Sequence, residues 1–213
     1  MIIGFVGFIG SGKDTAADYL VNFHGYRRDS FAGPLKDAIS LIFGWDRTLL
    51  EGRSIESREW REQVDEWWAD RLGIPHLTPR FIMQHWGTEV LRNNFHDDIW
   101  IASLENKIRK TTDNIVISDV RFTNEIKSIH NSGGLVVRIK RGPDPEWYRD
   151  AINVNAGPTN MSWAISKMRM EELKIHASET SWIGEEIDHT IENDGSIDSL
   201  FTNILKILES HGN

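Results

Sequence analysis

Residues Gly7–Lys13 read GFIGSGK, and the architecture of the chain can be worked out from this segment. It fits the pattern G-x-x-x-x-G-K. An apolar run of β-forming residues predicts a strand over Met1–Phe8, and a helix is predicted over Gly12–His24. Glycines let such a turn wrap an oxyanion, while inward backbone N–H groups and the helix N-terminus supply positive charge. We therefore predict a phosphate-binding loop over residues 7–13, although an ordinary glycine-rich turn has the same local pattern.

The loop and the helix that follows it supply the expected nucleotide contacts. Lys13 offers a mobile point charge for the β- and γ-phosphates of ATP. The next residue, usually Ser or Thr and a Mg²⁺ ligand, is here Asp14, which can hold a Mg²⁺-bound water, orient Lys13, or simply stabilise the first helical turn. The predicted ATP contacts are Gly10, Ser11, Gly12, Lys13, Asp14 and Thr15.

Beyond the loop, apolar strands and amphipathic helices alternate, which predicts an α/β fold with a parallel sheet. The later elements are expected as strands Asn114–Asp119, Gly134–Lys140 and His189–Asn193 and helices Phe122–Asn131 and Ser196–Ser210. Asp119 ends a buried strand, where an acid commonly holds Mg²⁺ through water, and Arg121 leaves the same edge and can bridge two phosphoryl groups. An Asp cap on the next helix is the structural alternative.

The middle of the chain reads as helical. After a helix from Gly33 to about Phe43 and an irregular stretch, one helix is expected over Glu59–Leu72 and one over about Pro79–Asn94. On the latter, Arg80, Gln84 and Thr88 share a face by i, i+4 spacing. Residues Gly142–Glu186 break the α/β alternation, and we predict that this lid-like segment is a mobile excursion from the core.

Composition sets the outer limits. With 213 residues, 39% hydrophobic and 26% charged, the chain is expected to fold around a core. A net charge of −8 argues against a protein that coats nucleic acid, but leaves room for a small anion in a local positive pocket. Without cysteine there are no disulfides, thiolate catalysis or Cys-ligated metals. No signal peptide or membrane helix is expected, and a reducing cytoplasm fits.

Five blocks of sequence occur in this order: GSGKDTAAD (10–18), FAGPLKDA (31–38), QHWGTE (84–89), NNF (93–95) and DVR (119–121). Together they resemble the deoxynucleoside monophosphate kinases of tailed bacteriophages. The similarity covers most of the chain, and residues 44–77 and 142–174 add little to it. It implies a three-layer P-loop NTPase fold, with a helical region that binds the nucleoside monophosphate and a lid insertion. It also implies transfer of the ATP γ-phosphoryl group to a dNMP, with Mg²⁺.

Within that resemblance, Lys13, Arg121 and Asp14 are the expected catalytic residues. Lys36, Arg80, Gln84, Thr88 and Arg121 are expected to bind the acceptor, and Asp119 and Asp14 to hold the metal through water. A single kinase domain over 1–213 is expected, with an acceptor-binding insertion at about 34–111 and the lid-like segment at about 142–186. His176 and Glu179 belong to a family-like motif with no assigned role.

The expected partners are small-molecule nucleotides (ATP and dNMP), without nucleic acid or membrane, in the cytoplasm of a host if the chain is viral. A homodimer is left open. Three alternatives also stay open: a kinase of another phosphorylated small molecule, like phosphomevalonate or dephospho-CoA kinases; a P-loop protein that binds nucleotide without transfer; and an acidic structural protein with an incidental glycine-rich turn.

Overall fold

The computed structural model describes residues 1–158 and 161–211. Within these, one parallel sheet has the strand order β2-β3-β1-β4-β5. Its strands are β1 (Ile2–Val6), β2 (Arg27–Asp29), β3 (Ile115–Ile117), β4 (Leu135–Lys140) and β5 (His189–Glu192). The helices are α1 (Lys13–His24), α2 (Gly33–Phe43), α3 (Ile55–Glu62), α4 (Glu66–Leu72), α5 (Pro79–Gln84), α6 (Ile99–Ile108), α7 (Thr123–Asn131), α8 (Tyr148–Asn155), α9 (Met161–Leu173), α10 (Ala177–Thr180) and α11 (Ile197–His211). The predicted α/β class with a parallel sheet is confirmed.

The central strand β1 is covered on both faces, because successive side chains of a strand point in opposite directions. Phe5 joins a buried cluster with Leu20 of α1 and Ile204 of α11. Gly4, its neighbour, faces the other side, where a Cβ would overlap Ile129 of α7. The sheet therefore lies between α1 with α11 on one face and α7 on the other, which makes three layers.

All five strands run in the same direction, so the segments that follow them emerge at one edge of the sheet. The phosphate-binding loop follows β1 there, and Ser118 follows β3. Arg141 and Asn193 follow β4 and β5 at the same edge. The topology thus gathers segments from three other places in the sequence around the loop.

The chain divides into two compact units. The core unit is Met1–Ser30 with Lys107–Asn213, and the helical unit is Phe31–Asn106. The single domain with an acceptor-binding insertion stays a prediction, and its bounds of 1–213 include residues outside those described. No helix in the described parts of either unit is long and apolar enough to span a bilayer.

Aromatic side chains fill the interior of the helical unit. The Phe43 ring stacks on Trp45 at 4.4 Å between centroids and meets Trp68 and Trp86 edge-on or tilted at 4.9 and 5.4 Å. The indole N–H of Trp45 donates to Asp65 Oδ2 at 2.7 Å, so the polar end of a buried ring is satisfied. Four of the aromatic residues in this acidic chain therefore build one core.

Two predictions for this unit, one of a helix and one of an irregular stretch, are wrong in detail. The helix expected over Glu59–Leu72 is two helices, because Asp65 caps a new one with an Oδ1 that accepts from Trp68 N at 3.1 Å. The stretch expected to be irregular, 44–57, contains a 3₁₀ helix at Leu49–Glu51 and the start of α3. The contact between Trp45 and Asp65 helps to fix the break between α3 and α4. Local helix propensity does not contain this contact, so the sequence did not predict the break.

The helix predicted over Pro79–Asn94 changes type at its midpoint. α5 ends at Gln84, and His85–Asn93 forms a π-helical segment, in which hydrogen bonds span five residues rather than four. Gly87, within this segment, approaches Leu35 so closely that a Cβ would lie 2.9 Å from Leu35 Cδ2. Its carbonyl accepts from the indole of Trp100 at 3.0 Å.

The lid-like segment is largely helical in its described residues, and residues 159 and 160 lie outside the description. α8 and α9 pack on each other, joined by Ser166, whose hydroxyl donates to Asp150 Oδ1 at 2.6 Å. Asn155 Nδ2 donates to the carbonyls of Thr180 and Ile183, both at 2.8 Å. These bonds fasten the end of α8 to α10 and the turn after it.

Candidate active site

The phosphate-binding loop has the backbone that its glycines permit. Gly7, Gly10 and Gly12 have φ of 137°, 78° and 104°, a region that residues with a Cβ rarely adopt. Gly12 is the N-cap of α1, and its carbonyl accepts from Ala16 N at 2.9 Å. The loop therefore ends at a helix N-terminus, where unpaired N–H groups favour a bound anion. Thr15, in the first turn, is exposed.

The far strands of the sheet support this loop. A Cβ on Gly7 would overlap the carbonyl of Ile139 in β4, so the loop lies directly against that strand. The buried Asn193, just after β5, donates from Nδ2 to the Ser11 carbonyl at 2.8 Å. Ser11 is itself buried, and its hydroxyl has no hydrogen-bond partner in the structure. We did not predict Asn193, although a polar residue at the end of the last strand was a usable signal.

Lys13 lies folded over the loop. Its Nζ donates to the carbonyls of Gly7 at 2.6 Å and Phe8 at 2.7 Å. Burial above all, and then the charge of Arg121, lower the Lys13 pKa to about 8, against the opposing charges of Asp14 and Glu179. The amine is thus a cation short of countercharge at neutral pH, and the phosphates of a nucleotide would supply it.

Arg121 reaches the same pocket from the other side of β1. Its backbone N–H donates to the buried Glu125 carboxylate at 2.8 Å, which fixes the turn after β3. Its guanidinium Nη1 donates to Ser178 Oγ at 3.3 Å and to Glu179 Oε1 at 3.1 Å. Lys13, Arg121, Ser178 and Glu179 line one small pocket. The structure therefore brings together Lys13 and Arg121, as the sequence led us to expect.

Glu179 lies in this pocket, although no role was predicted for it from the sequence. It is the acidic residue of α10, directly after the lid-like hairpin of α8 and α9. With a side-chain exposure of 25% against 44% for Arg121, the pair is half-buried rather than free in solvent. A carboxylate thus neutralises the cation that would otherwise face a phosphoryl group. The sequence around His176 and Glu179 indicated no role for either residue, because local sequence does not reveal that Glu179 contacts Arg121.

The acidic residues expected at the metal lie at the carboxyl edge of the sheet. Asp14 Oδ1 accepts from Ser118 Oγ at 3.0 Å and from Arg28 Nη2 at 3.3 Å. Asp119, the residue after Ser118, is half-buried. Nowhere in the described residues do three or more His, Cys, Asp or Glu side chains cluster to enclose a metal. This donor set fits Mg²⁺, which keeps several waters and typically binds through one or two carboxylates and the phosphates of a substrate.

The predicted acceptor residues Lys36, Arg80, Gln84 and Thr88 all lie in the helical unit. Lys36 Nζ donates to Glu51 Oε2 at 2.8 Å, and Arg47 pairs with the same carboxylate. Burial alone would raise the Glu51 pKa, but the two cations lower it to about 2. The Lys36 side chain is therefore fixed by its ion pair with Glu51 rather than freely solvated.

The other three acceptor candidates are not aligned as predicted. Arg80 pairs with Glu62, and Gln84 is exposed at the end of α5. Thr88 falls in the π-helical segment, so the i, i+4 face expected through Arg80, Gln84 and Thr88 does not continue past Gln84. A further cation, Arg61 of α3, was missed because nothing in its local sequence distinguishes it from the charged residues around it.

The family model and the relatives that match this chain are all described as deoxynucleotide or deoxynucleoside monophosphate kinases. A family model described as deoxynucleotide monophosphate kinase matches residues 75–157. A putative deoxynucleotide monophosphate kinase of Acanthamoeba polyphaga mimivirus is 34% identical over an alignment of 155 residues, which covers 66% of this chain and 74% of that relative. A deoxynucleoside-5'-monophosphate kinase of Escherichia phage T5 is 25% identical, over 91% of this chain and 89% of its own.

Two solved structures of kinases also align with the chain over nearly its full length. Shikimate kinase from Aquifex aeolicus aligns with a TM-score of 0.46 and 15% identity, covering 100% of this chain and 98% of the kinase. Dephospho-CoA kinase from Campylobacter jejuni aligns with a TM-score of 0.41 and 16% identity, covering 98% and 96%.

Proposed function

This chain belongs to the deoxynucleotide monophosphate kinase family, and from that premise we propose that it transfers the γ-phosphoryl group of ATP to a deoxynucleoside monophosphate. The products are ADP and a deoxynucleoside diphosphate. The observation that carries this proposal is the meeting of Lys13 and Arg121 in one pocket at the phosphate-binding loop.

Phosphoryl transfer asks mainly for positioning and for positive charge around the moving group. Residues 10–15 would bind the ATP phosphates through backbone N–H groups and Lys13, and Arg121 would bridge donor and acceptor phosphates. Lys36, Arg80, Gln84 and Thr88 stay the proposed acceptor contacts. The acceptor oxygen is a phosphate oxygen, whose second pKa is about 6, so it is already deprotonated at neutral pH. No general base is therefore required.

Mg²⁺ is part of the proposal. When bound, it would neutralise charge on the β- and γ-phosphates. Asp14 and Asp119 would hold it through water, at the edge where Ser118 hydrogen-bonds Asp14. Arg28, bonded to both Asp14 and Asp18, keeps the Asp14 carboxylate turned toward that edge.

The decisive experiment is acceptor-dependent release of ADP from Mg-ATP. The panel should contain the four common dNMPs, the matching ribonucleotides, dephospho-CoA and phosphomevalonate. Turnover with one or more dNMPs supports the proposal. ATP binding without acceptor-dependent ADP release would leave a nucleotide-binding protein without transfer, and turnover with dephospho-CoA or phosphomevalonate alone would replace the proposed acceptor.

Two variants test the assigned roles. Lys13→Ala and Arg121→Ala should each lower the transfer rate by about 10³-fold or more, the scale on which a transition-state arginine contributes. Both side chains are partly exposed at the carboxyl edge, so both variants should fold, with a far-UV circular dichroism spectrum close to that of the parent. Near-normal turnover in either variant would show that the role given to that residue is wrong.

A further inference from the structure

Arg61 of α3 is a half-buried cation without a counterion. Its Nε is fully buried and has no hydrogen-bond partner. Arg28 and Arg138 also have an unbonded Nε, but their other nitrogens hold carboxylates. Across residues 1–158 and 161–211, none of the Arg61 nitrogens makes a hydrogen bond or an ion pair. A charge that is partly desolvated and has no protein partner is unfavourable, so its retention needs a reason.

The Arg61 side chain packs against a position where the backbone carries a glycine. Its guanidinium occupies the space where a side chain on Gly52 would lie, and a Cβ there would overlap it. Gly52 has a φ of 67° as the C-cap of the 3₁₀ helix, so a side chain is disfavoured on two counts. Arg58 Nε donates to the Gly52 carbonyl at 3.0 Å and helps to fix this turn.

The strongest charge effect on Arg61 comes from another cation, Arg80. Burial lowers the Arg61 pKa, and the nearby Arg80 and Arg58 lower it further, against Glu62 and Glu51. The two carboxylates are already engaged, because Arg80 pairs with Glu62, and Lys36 and Arg47 share Glu51. The carboxylates that act most strongly on Arg61 are thus bound to other cations.

We propose that Arg61 and Arg80 form a binding site for a phosphate monoester in the helical unit. A guanidinium fork matches the geometry of phosphate oxygens, and a monoester brings about 1.5 to 2 negative charges at neutral pH. Arg80 would exchange Glu62 for the ligand, and Arg61 needs no exchange. This assignment rests on the proposed function: the site takes the 5′-phosphate of the acceptor. Arg61 is the residue that makes the site specific for a phosphate monoester.

The test compares Arg61→Met with Arg71→Met, which removes an exposed arginine of α4 in the same unit. Inorganic phosphate is titrated into the ¹⁵N-labelled full chain at constant ionic strength. The Arg61 Nε–H signal is identified by its disappearance in the Arg61→Met spectrum. We expect the Arg61 signal to shift saturably with phosphate in the parent and in Arg71→Met. Phosphate that binds only at the phosphate-binding loop would leave this signal unmoved.

Steady-state kinetics and thermal unfolding complete the design. We expect Arg61→Met to raise KM for the dNMP about tenfold or more, with little change in KM for ATP, and Arg71→Met to change neither. The unfolding midpoint of Arg61→Met should equal or exceed that of the parent, because an uncompensated charge has been removed.

Two results would overturn the inference. One is an Arg61 signal unmoved by phosphate together with an unchanged KM for the dNMP. The other is an Arg61→Met protein that unfolds several degrees lower with unchanged KM, since that result marks a purely structural residue. If the parent shows no dNMP-dependent ADP release but phosphate still shifts the Arg61 signal, the proposed function fails and the phosphate site stands.

Discussion

At the scale of single residues, the ionisation of Lys13 leads to a pH dependence. Its pKa of about 8 means that it is mostly protonated at pH 7 and loses its charge between about pH 7 and 9. Bound phosphates would raise this pKa, so nucleotide binding above pH 8 should be coupled to proton uptake. We expect the Kd for ATP to weaken as pH rises from 7 to 9, measured by calorimetry in buffers of different ionisation enthalpy.

The same shift affects stability with the opposite sign. The unfolded chain holds its Lys13 proton up to about pH 10.5, the ordinary value for lysine, while the folded chain releases it near pH 8. The ligand-free protein therefore gains stability from this group as pH rises through that window. Lys13→Met should remove both effects, and the control Lys206→Met, on the exposed face of α11, should keep them. An unchanged pH slope in Lys13→Met would contradict the assignment.

Glu179 supports a second prediction at this scale. Its carboxylate competes with phosphate for Arg121, from 3.1 Å away. Glu179→Gln should therefore tighten ATP binding, by about two- to fivefold for a partly exposed ion pair. Because Glu179 also raises the Lys13 pKa, the weakening of ATP binding should begin at lower pH in this variant. Tryptophan fluorescence titration would measure both effects.

The control for that experiment is Glu186→Gln, which removes an exposed carboxylate from the same segment. It should leave the Kd for ATP unchanged. Weaker ATP binding in Glu179→Gln would mean that the carboxylate holds Arg121 in its binding position rather than competing for it.

At the scale of elements, the end of β5 is predicted to stabilise the phosphate-binding loop. Asn193 is buried and bonds the Ser11 carbonyl at 2.8 Å, across 182 residues of sequence. Asn193→Ala should lower the free energy of unfolding by about 1 to 3 kcal/mol, because a buried carbonyl loses its donor, and should weaken ATP binding as well. Urea unfolding and calorimetry would measure these, with Asn203→Ala on α11 as the control. Loss of stability with unchanged ATP affinity would show that the loop does not depend on this strand.

The elements also show how far sequence reasoning reaches. The loop, β1 and α1 were predictable because their glycine spacing and apolar periodicity are local. The break at Asp65 and the π-helical segment were not, since both depend on packing between distant residues: Trp45 on Asp65, and Leu35 and Trp100 on Gly87. Local motifs likewise predicted Lys13 and Arg121, whereas Asn193 and Glu179 are distinguished only by contacts with residues far away in the sequence. Arg61 is distinguished by its packing against Gly52.

At the scale of the whole molecule, an acidic chain concentrates cations in two places. Lys13 and Arg121 meet in the core unit, and Lys36, Arg61 and Arg80 lie in the helical unit. A reaction between two anions needs this uneven distribution, since the net charge of −8 would otherwise repel both substrates. Added salt should accordingly raise KM for ATP and for the dNMP, with little effect on unfolding, in steady-state and denaturation measurements at 0.05 and 0.5 M NaCl.

The lid-like segment provides the last prediction. The base of the segment is packed on the phosphate-binding loop, with the Phe8 ring 5.3 Å from Trp182 and 5.6 Å from Trp147. Further out, α9 exposes Met161 and Met168 at 76% and 61%, on one face of the helix. Closure over bound nucleotides would cover such a face and exclude water, which limits wasteful hydrolysis of ATP.

Hydrogen exchange followed by mass spectrometry would detect that closure. With saturating ADP and dNMP, peptides of α8 and α9 should exchange several-fold more slowly than in the ligand-free protein, because a closed segment keeps water away from its backbone amides. Peptides of α11, which packs on α1 behind the sheet, serve as the internal standard and should not change. Equal exchange in α8 and α9 with and without both ligands would mean that the segment is a fixed part of the core unit, and water would then have to be excluded from the phosphates by other residues.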